Sequence, residues 1–263
     1  MPAVSEKLVY LELQKTASSF ITATLVDLFG ARETARHDRL ADEDRSKFVI
    51  GSVRNPWDYY VSLWSFGCQG RGGVHKRVTH RRLEFARRQF PDFGFLLQEI
   101  AKPTRRWRAH YSEPHTPEKF NRWLVDIHNP AYASQVDPWY GLTEMRRVAG
   151  YATFRYCRLY ADDVDSVKAC AKESTLKAVV SENYLPQSMI RFEHLADDLI
   201  AGTRAAGYVV DGALEKIVRE RAAKPVNRSD HRPYWEYYDE ASRDIVRRRD
   251  ALIVERHGYT FGP

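Results

Sequence analysis

The sequence predicts an α/β fold, a single three-layer domain with a central parallel sheet and helices on both faces. Two short apolar runs, Lys7–Leu13 and Lys47–Val53 ("KFVIGSV"), are bounded by charge in the manner of buried parallel strands. Each leads into an amphipathic helical pattern, so strand and helix alternate twice within about sixty residues, the rhythm of a parallel sheet. No low-complexity linker or convincing boundary interrupts the chain, so residues 1–263 are expected to form one domain.

After the first strand, Ser18 or Ser19 is placed to cap a helix whose apolar positions Phe20, Ile21, Leu25, Leu28 and Phe29 follow helical spacing. Gly30 offers its stop. A polar stretch precedes the second strand. Asn55-Pro56 then opens another helix, with proline in the first turn, where its missing N–H costs nothing. In the middle, "PDFGFLLQEIAKP" (from Pro91) and "PEKFNRWLVDIHNP" (from Pro117) predict two short amphipathic helices separated by a loop, "TRRWRAHYSEPHT". Tyr151–Tyr160 ("YATFRYCRLY") and Gln187–Phe192 ("QSMIRF") read as further strands. "HLADDLIAGTRAAG" and "GALEKIVRERAA" read as helices, followed by the polar, aromatic loop "KPVNRSDHRPYWEYY" and a final helix from about Tyr234 to Arg256.

A composition of 43% hydrophobic and 29% charged residues is ordinary for a soluble globular protein, and 13% aromatic residues suit a core and clefts rich in ring surface. No apolar run has membrane-spanning length, and "MPAVSEKLVY" lacks the succession of a signal peptide, so a cytoplasmic location is expected. Cys68, Cys157 and Cys170 are odd in number and widely spaced, which argues for reduced, partly buried thiols over a disulfide framework or a zinc site. The net charge of +6 is uneven: between Arg71 and His110 eleven Lys or Arg face only Glu84, Asp92 and Glu99. That stretch is either a solvated basic face or a surface that attracts an anionic substrate or nucleotide. Nucleic acid is not expected, because no helix-turn-helix, zinc-finger or RNA-binding aromatic signature accompanies the charge.

The chemistry concentrates in two stretches. In "LELQKTASSFITATL" a strand end meets a helix start, where unpaired N–H groups and the helix dipole attract anions. Lys15 adds a full charge, and Thr16, Ser18 and Ser19 add hydroxyls; the alternative is a plain strand–helix turn with a surface lysine. The glycine-rich G-x-x-x-x-G-K-[ST] of nucleotide hydrolases is absent. In "VRNPWDYYVSLWSF", Arg54 at the second strand's end can fork onto an anion, and Ser62, eight positions on, can reach the same group. Both stretches lie at the carboxyl edge of one sheet, where open α/β folds bind ligands.

"QKTASSF" and "VRNPWDYYVSLWSF" together resemble the two cofactor signatures of sulfotransferases that use 3′-phosphoadenosine 5′-phosphosulfate. "IRFEHLADDL" (Ile190–Leu199) and "NRSDHRPYWEYYDE" (Asn227–Glu240), with the terminal "HGYTF", resemble the C-terminal half of the carbohydrate-type branch. The resemblance spans nearly the whole chain and is thinnest from Gly67 to Ala149, which reads as a variable, mostly helical acceptor-side insertion (67–149). It implies that Gln14, Lys15, Thr16, Ala17, Ser18, Ser19 and Phe20 hold the 5′-phosphosulfate, and that Arg54 and Ser62 hold the 3′-phosphate. It further implies that Arg228 and Ser229, in the loop before the last helix, contact the nucleotide's 3′-phosphate side. The Lys-Thr-Ala-Ser loop is similar to that of glycosaminoglycan 2-O-sulfotransferases. Many members have glycines after the lysine; without them this turn must keep to negative φ or accept strain.

Sulfuryl transfer by in-line displacement needs an aligned acceptor, a proton acceptor and stabilisation of the leaving oxygen. Lys15 fits the last role. A histidine between the two signatures acts as base in the 2-O-sulfotransferases, which points to His37; Glu12 ranks second. No metal is implied, and no His or carboxylate cluster has metal-ligand spacing. The expected acceptor is a hydroxyl on a carbohydrate or glycoconjugate, with an anionic acceptor among the alternatives. The alternatives are a nucleotide-dependent kinase with a degenerate loop, or a non-catalytic protein that binds adenosine 3′,5′-bisphosphate.

Overall fold

The computed structural model describes residues 2–34, 39–82, 93–224 and 231–262. The chain groups into two compact units: Met1–Asn55 with Arg155–Val167 and Lys177–Arg228, and Pro56–Phe154 with Lys168–Leu176 and Ser229–Pro263.

The first unit is built on a five-stranded sheet of β1 (Ala3–Val4), β2 (Leu8–Tyr10), β3 (Arg32–Glu33), β4 (Phe48–Val53) and β5 (Ser188–Arg191), in the order β3-β1-β2-β4-β5. The expected parallel core is present in β2, β4 and β5, with Tyr10 opposite Ile50 and Ser52 opposite Ile190. The sheet is nevertheless mixed, not purely parallel: β1 runs antiparallel to β2 and to β3. The reason is local. Only Ser5, Glu6 and Lys7 separate β1 from β2, too few for a crossover, and Ser5 N closes the turn onto Leu8 O at 2.9 Å.

One face of the sheet packs against α1 (Ser18–Phe29) and the helices Leu195–Ala205 and Gly212–Ala222. Tyr10, Ile21, Leu25, Ile50, Leu199 and Val218 form a continuous apolar core there. Strand neighbours point to opposite faces, so Gly51 looks the other way. There the Tyr160 ring and the Met189 sulfur lie so close that a Cβ on residue 51 would meet them at 3.0 and 2.6 Å. The sheet is thus covered on both faces, and Gly30 ends α1 in a left-handed conformation (φ 64°).

Tyr151–Tyr160, expected as a strand, is a helix. Its aromatic and β-branched content favours a strand by propensity. However, the two arginines, Arg155 and Arg158, are the only partly exposed positions and lie three apart, a helical spacing. "TRRWRAH" (Thr104–His110) is also a helix, not a loop, burying Trp107 and His110 at i and i+3. The final helix is broken into a 3₁₀ turn at Tyr234–Tyr237 and helices Glu240–Arg249 and Ala251–His257.

The second unit is helical, with α2 (Pro56–Cys68) and the helix Pro117–Ile127 at its centre. Trp64, Phe120, Trp123 and Tyr237 are buried together, with Trp64–Phe120 and Phe120–Tyr237 ring centroids 5.6 and 5.7 Å apart. In this apolar setting Asp250 is fully buried. Its carboxylate accepts hydrogen bonds from Thr153 N (2.9 Å), Thr153 Oγ1 (2.7 Å) and Tyr60 Oη (2.9 Å). The Asp250 carboxylate therefore caps the Tyr151–Tyr160 helix. All three cysteines are free thiols, and burial pushes Cys68 up to about 12. Among the described residues no helix is long and apolar enough to cross a membrane.

Candidate functional site

The turn after β2 has no glycine, and it takes the strained alternative. Lys15 (φ 68°) and Ala17 (φ 59°, ψ 28°) are both left-handed, with Thr16 between them at negative φ. Each left-handed non-glycine residue costs about 1–2 kcal/mol. Alternating handedness over successive residues turns their N–H groups toward one concavity, the geometry of an anion-binding nest. The nest opens at the head of α1, whose first N–H groups no carbonyl within the helix can pair. Neither Ser18 nor Ser19 caps the helix as expected. Ala17 occupies the cap position without a side-chain bond, Ser18 Oγ donates to Glu12 Oε1 at 2.8 Å, and Ser19 is exposed.

Thr16 differs from expectation in what it can offer. Its side chain is fully buried, and its one hydroxyl proton goes to Leu13 O at 2.6 Å. In its 2.7 Å contact with Ser52 Oγ, Ser52 must then be the donor, so Tyr10 Oη donates to Ser52 at 2.8 Å. The relay Tyr10→Ser52→Thr16→Leu13 O is fixed in direction by proton counting. Burial holds the Tyr10 phenol well above its ordinary value, although its hydrogen bonds to Ser52 and Thr16 pull it down, so the relay keeps its first proton. Tyr160 reinforces it, accepting from Ser52 N (2.8 Å) and donating to Ser52 O (2.7 Å). What the turn offers an anion is therefore its backbone N–H groups and the Lys15 ammonium, not the hydroxyls of Thr16 and Ser18.

Arg54 closes the site from β4. It is buried, Nη1 donates to Lys15 O at 3.2 Å, and its guanidinium lies 3.9 Å from the Phe192 ring centroid. A guanidinium stacked by its face makes its hydrogen bonds through its edge. Next to it, Asn55 N donates to Glu193 Oε1 at 2.8 Å, which ties the end of β4 to the segment after β5. The structure thus brings Lys15, Thr16, Ala17, Ser18 and Arg54 together in one unit. Half-buried Gln14 and Phe20 flank the turn. Ser62 is buried on α2 of the helical unit. His37, Arg228 and Ser229 lie outside the described residues.

No family model, curated protein or solved structure matches this chain.

Sequence reasoning missed Ser52, Tyr160, Phe192 and Glu193. Ser52 carried a signal, a polar side chain inside the apolar run "KFVIGSV". Tyr160 carried none, because its role depends on a helix that reads as a strand. Much of the basic stretch from Arg71 to His110 is engaged internally. Arg77 Nε donates to Val136 O (2.5 Å), Lys102 and Arg82 pair with the buried Glu99, and Arg106 pairs with Asp126. Among the described residues no group of three or more His, Cys, Asp or Glu side chains is placed to hold a metal ion.

The strained turn yields a direct prediction. Ala17→Gly is expected to raise stability by up to about 1 kcal/mol in urea unfolding, because glycine takes φ 59° without the Cβ penalty. Ala17→Val is expected to lower it by at least as much. If glycine destabilises and valine does not, residue 17 is not left-handed.

Proposed function

We propose that this chain is a sulfotransferase that takes the sulfuryl group of 3′-phosphoadenosine 5′-phosphosulfate to an acceptor hydroxyl, on a carbohydrate or glycoconjugate, in the cytoplasm. The observation that carries the reading is the alternation of handedness at Lys15, Thr16 and Ala17 at the head of α1. A chain accepts two strained non-glycine residues in a row of three where the backbone has work to do there. The work that this geometry suits is holding an anion.

The residues present fit such a cofactor. The nest and Lys15 would hold the phosphosulfate end, and the buried Arg54 would meet a further phosphate through its edge. When bound, the cofactor supplies an activated sulfuryl group and a phosphate leaving group. Lys15 places a positive charge beside the turn, where negative charge on a departing oxygen needs stabilisation. Arg54 holds the Lys15 carbonyl and so fixes the left-handed residue that carries this ammonium. Ser52 and Thr16 hold the turn from below through their side chains. The proton acceptor for the hydroxyl is assigned to His37.

The test is a binding titration of adenosine 3′,5′-bisphosphate against AMP, ADP and ATP. The bisphosphate is expected to bind at least about tenfold tighter than AMP, from charge-assisted bonds to its second phosphate. Equal or tighter binding of ATP, with a requirement for magnesium, would overturn the reading in favour of a kinase. Tight bisphosphate binding without transfer to any hydroxyl in an acceptor screen would reduce the chain to a nucleotide-binding protein.

A further inference from the structure

The helical unit holds a cavity of about 530 Å³, within the size range of small-molecule sites. It is lined by the helices Thr104–His110 and Pro117–Ile127 together with Asp239, and none of its residues belongs to the turn described above.

Most charges around it are already matched. Arg106 grips the buried Asp126 carboxylate with two bonds of 2.6 Å, Lys119 lies 3.4 Å from Glu113, and Asp239 caps the Glu240–Arg249 helix through Ser242 N at 2.7 Å. Among the described residues Arg122 has no anionic partner, so its positive charge is left over at the wall. Two acceptors are also left over. Asn121 Oδ1 is buried with no hydrogen-bond partner among the described residues, which is costly for a carboxamide oxygen. His110 Nε2 lies 2.7 Å from Asp126 Oδ2, whose oxygens also accept two guanidinium bonds, so Nε2 carries the proton. Burial, working against Asp126, holds the imidazole below its ordinary value and keeps it neutral near pH 7. Nδ1 is therefore a lone-pair acceptor, and no described residue donates to it.

A surplus cation beside two unpaired acceptors asks for one kind of ligand, an anion that also carries hydroxyl donors. We propose that this cavity is a binding site for a polyhydroxylated organic carboxylate, with Arg122 taking the carboxylate while His110 Nδ1 and Asn121 Oδ1 accept from hydroxyls. A neutral polyol lacks the group Arg122 needs. A simple carboxylate leaves both acceptors unpaired. This assignment does not depend on the sulfotransferase reading, and its test uses neither nucleotide nor transfer.

The experiment titrates the full chain with gluconate, glucose and propionate as probes, followed by the ¹⁵N signal of the His110 imidazole. Gluconate is expected to bind at least about tenfold tighter than glucose, which lacks the charge-assisted bond to Arg122, and at least about tenfold tighter than propionate, which lacks both hydroxyl bonds, and to shift His110 Nδ1. Arg122→Ala, at an exposed position, is expected to abolish the preference for gluconate over glucose without changing the fold. Asn121→Ala is expected to weaken gluconate binding while raising the melting temperature, since it removes an unpaired buried oxygen. A purely structural asparagine would lower both or neither. Equal binding of all three probes, an unmoved His110 signal, or an Arg122→Ala protein that still prefers gluconate to glucose would overturn the proposal.

Discussion

Lys15→Ala is expected to lower sulfuryl transfer by about 10²–10³-fold, the usual loss when one aimed electrostatic group is removed from a reacting centre. Nucleotide binding should fall far less, because the backbone N–H groups of the nest stay in place. Alanine also accepts the left-handed conformation of residue 15 no worse than lysine does, so the turn itself is retained. Arg54→Ala should divide the other way. Its buried guanidinium is assigned to a ligand phosphate, so adenosine 3′,5′-bisphosphate affinity should drop by at least about tenfold. It also releases the Lys15 carbonyl, so some loss of turnover accompanies the loss of affinity. Steady-state kinetics with a bisphosphate titration of each variant separates the two. Wild-type transfer in Lys15→Ala together with wild-type affinity in Arg54→Ala would remove both residues from the site.

The second large effect lies in the helical unit and concerns stability. Asp250→Ala is expected to cost about 3–5 kcal/mol in urea or thermal unfolding. Three donors converge on this carboxylate, and the substitution strands Thr153 N, Thr153 Oγ1 and Tyr60 Oη in a dry interior. The Tyr60 oxygen also accepts from Ala152 N at 3.0 Å, so the loss spreads through the first turn of the Tyr151–Tyr160 helix. Asp250→Asn should be milder, about 1–2 kcal/mol, since a carboxamide oxygen still accepts from Thr153 while its NH₂ meets the Tyr60 hydroxyl. If alanine and asparagine cost the same small amount, the convergence of donors on residue 250 carries no stability.

The parts of this structure that local pattern dictates were legible. β2, β4 and β5, α1 with its glycine stop, and the proline-led start of α2 are written in short apolar runs, 3.6-residue spacing and punctuation. What was not legible depends on partners far along the chain. β1 and β3 are two residues each, below any periodicity, and exist only because β2 pairs with one and the other pairs beside it. The Tyr151–Tyr160 helix is begun by a cap 97 residues away, which no window on "YATFRYCRLY" contains. The candidate site divides along the same line. Lys15 and Arg54 stand in readable motifs, whereas Thr16's true partner, Ser52, lies 36 residues on. The strain itself was anticipated as one of two options, and only backbone angles decide between them.

The Tyr10–Ser52–Thr16 relay bears on the order in which the chain assembles. Thr16 is anchored to β4, so residues 8–29 alone lack the means to hold Lys15 and Ala17 against their backbone preference. The cradle should therefore close only after β4 has docked on β2, as a late folding event. A peptide of the first strand and helix should fail to bind phosphate where the whole chain is expected to bind it. In hydrogen exchange, the amides of residues 15–17 should gain protection after those of β4. On the proposed reading, recognition at this turn is a by-product of completed sheet pairing, and a nascent chain captures its ligand only once its core exists.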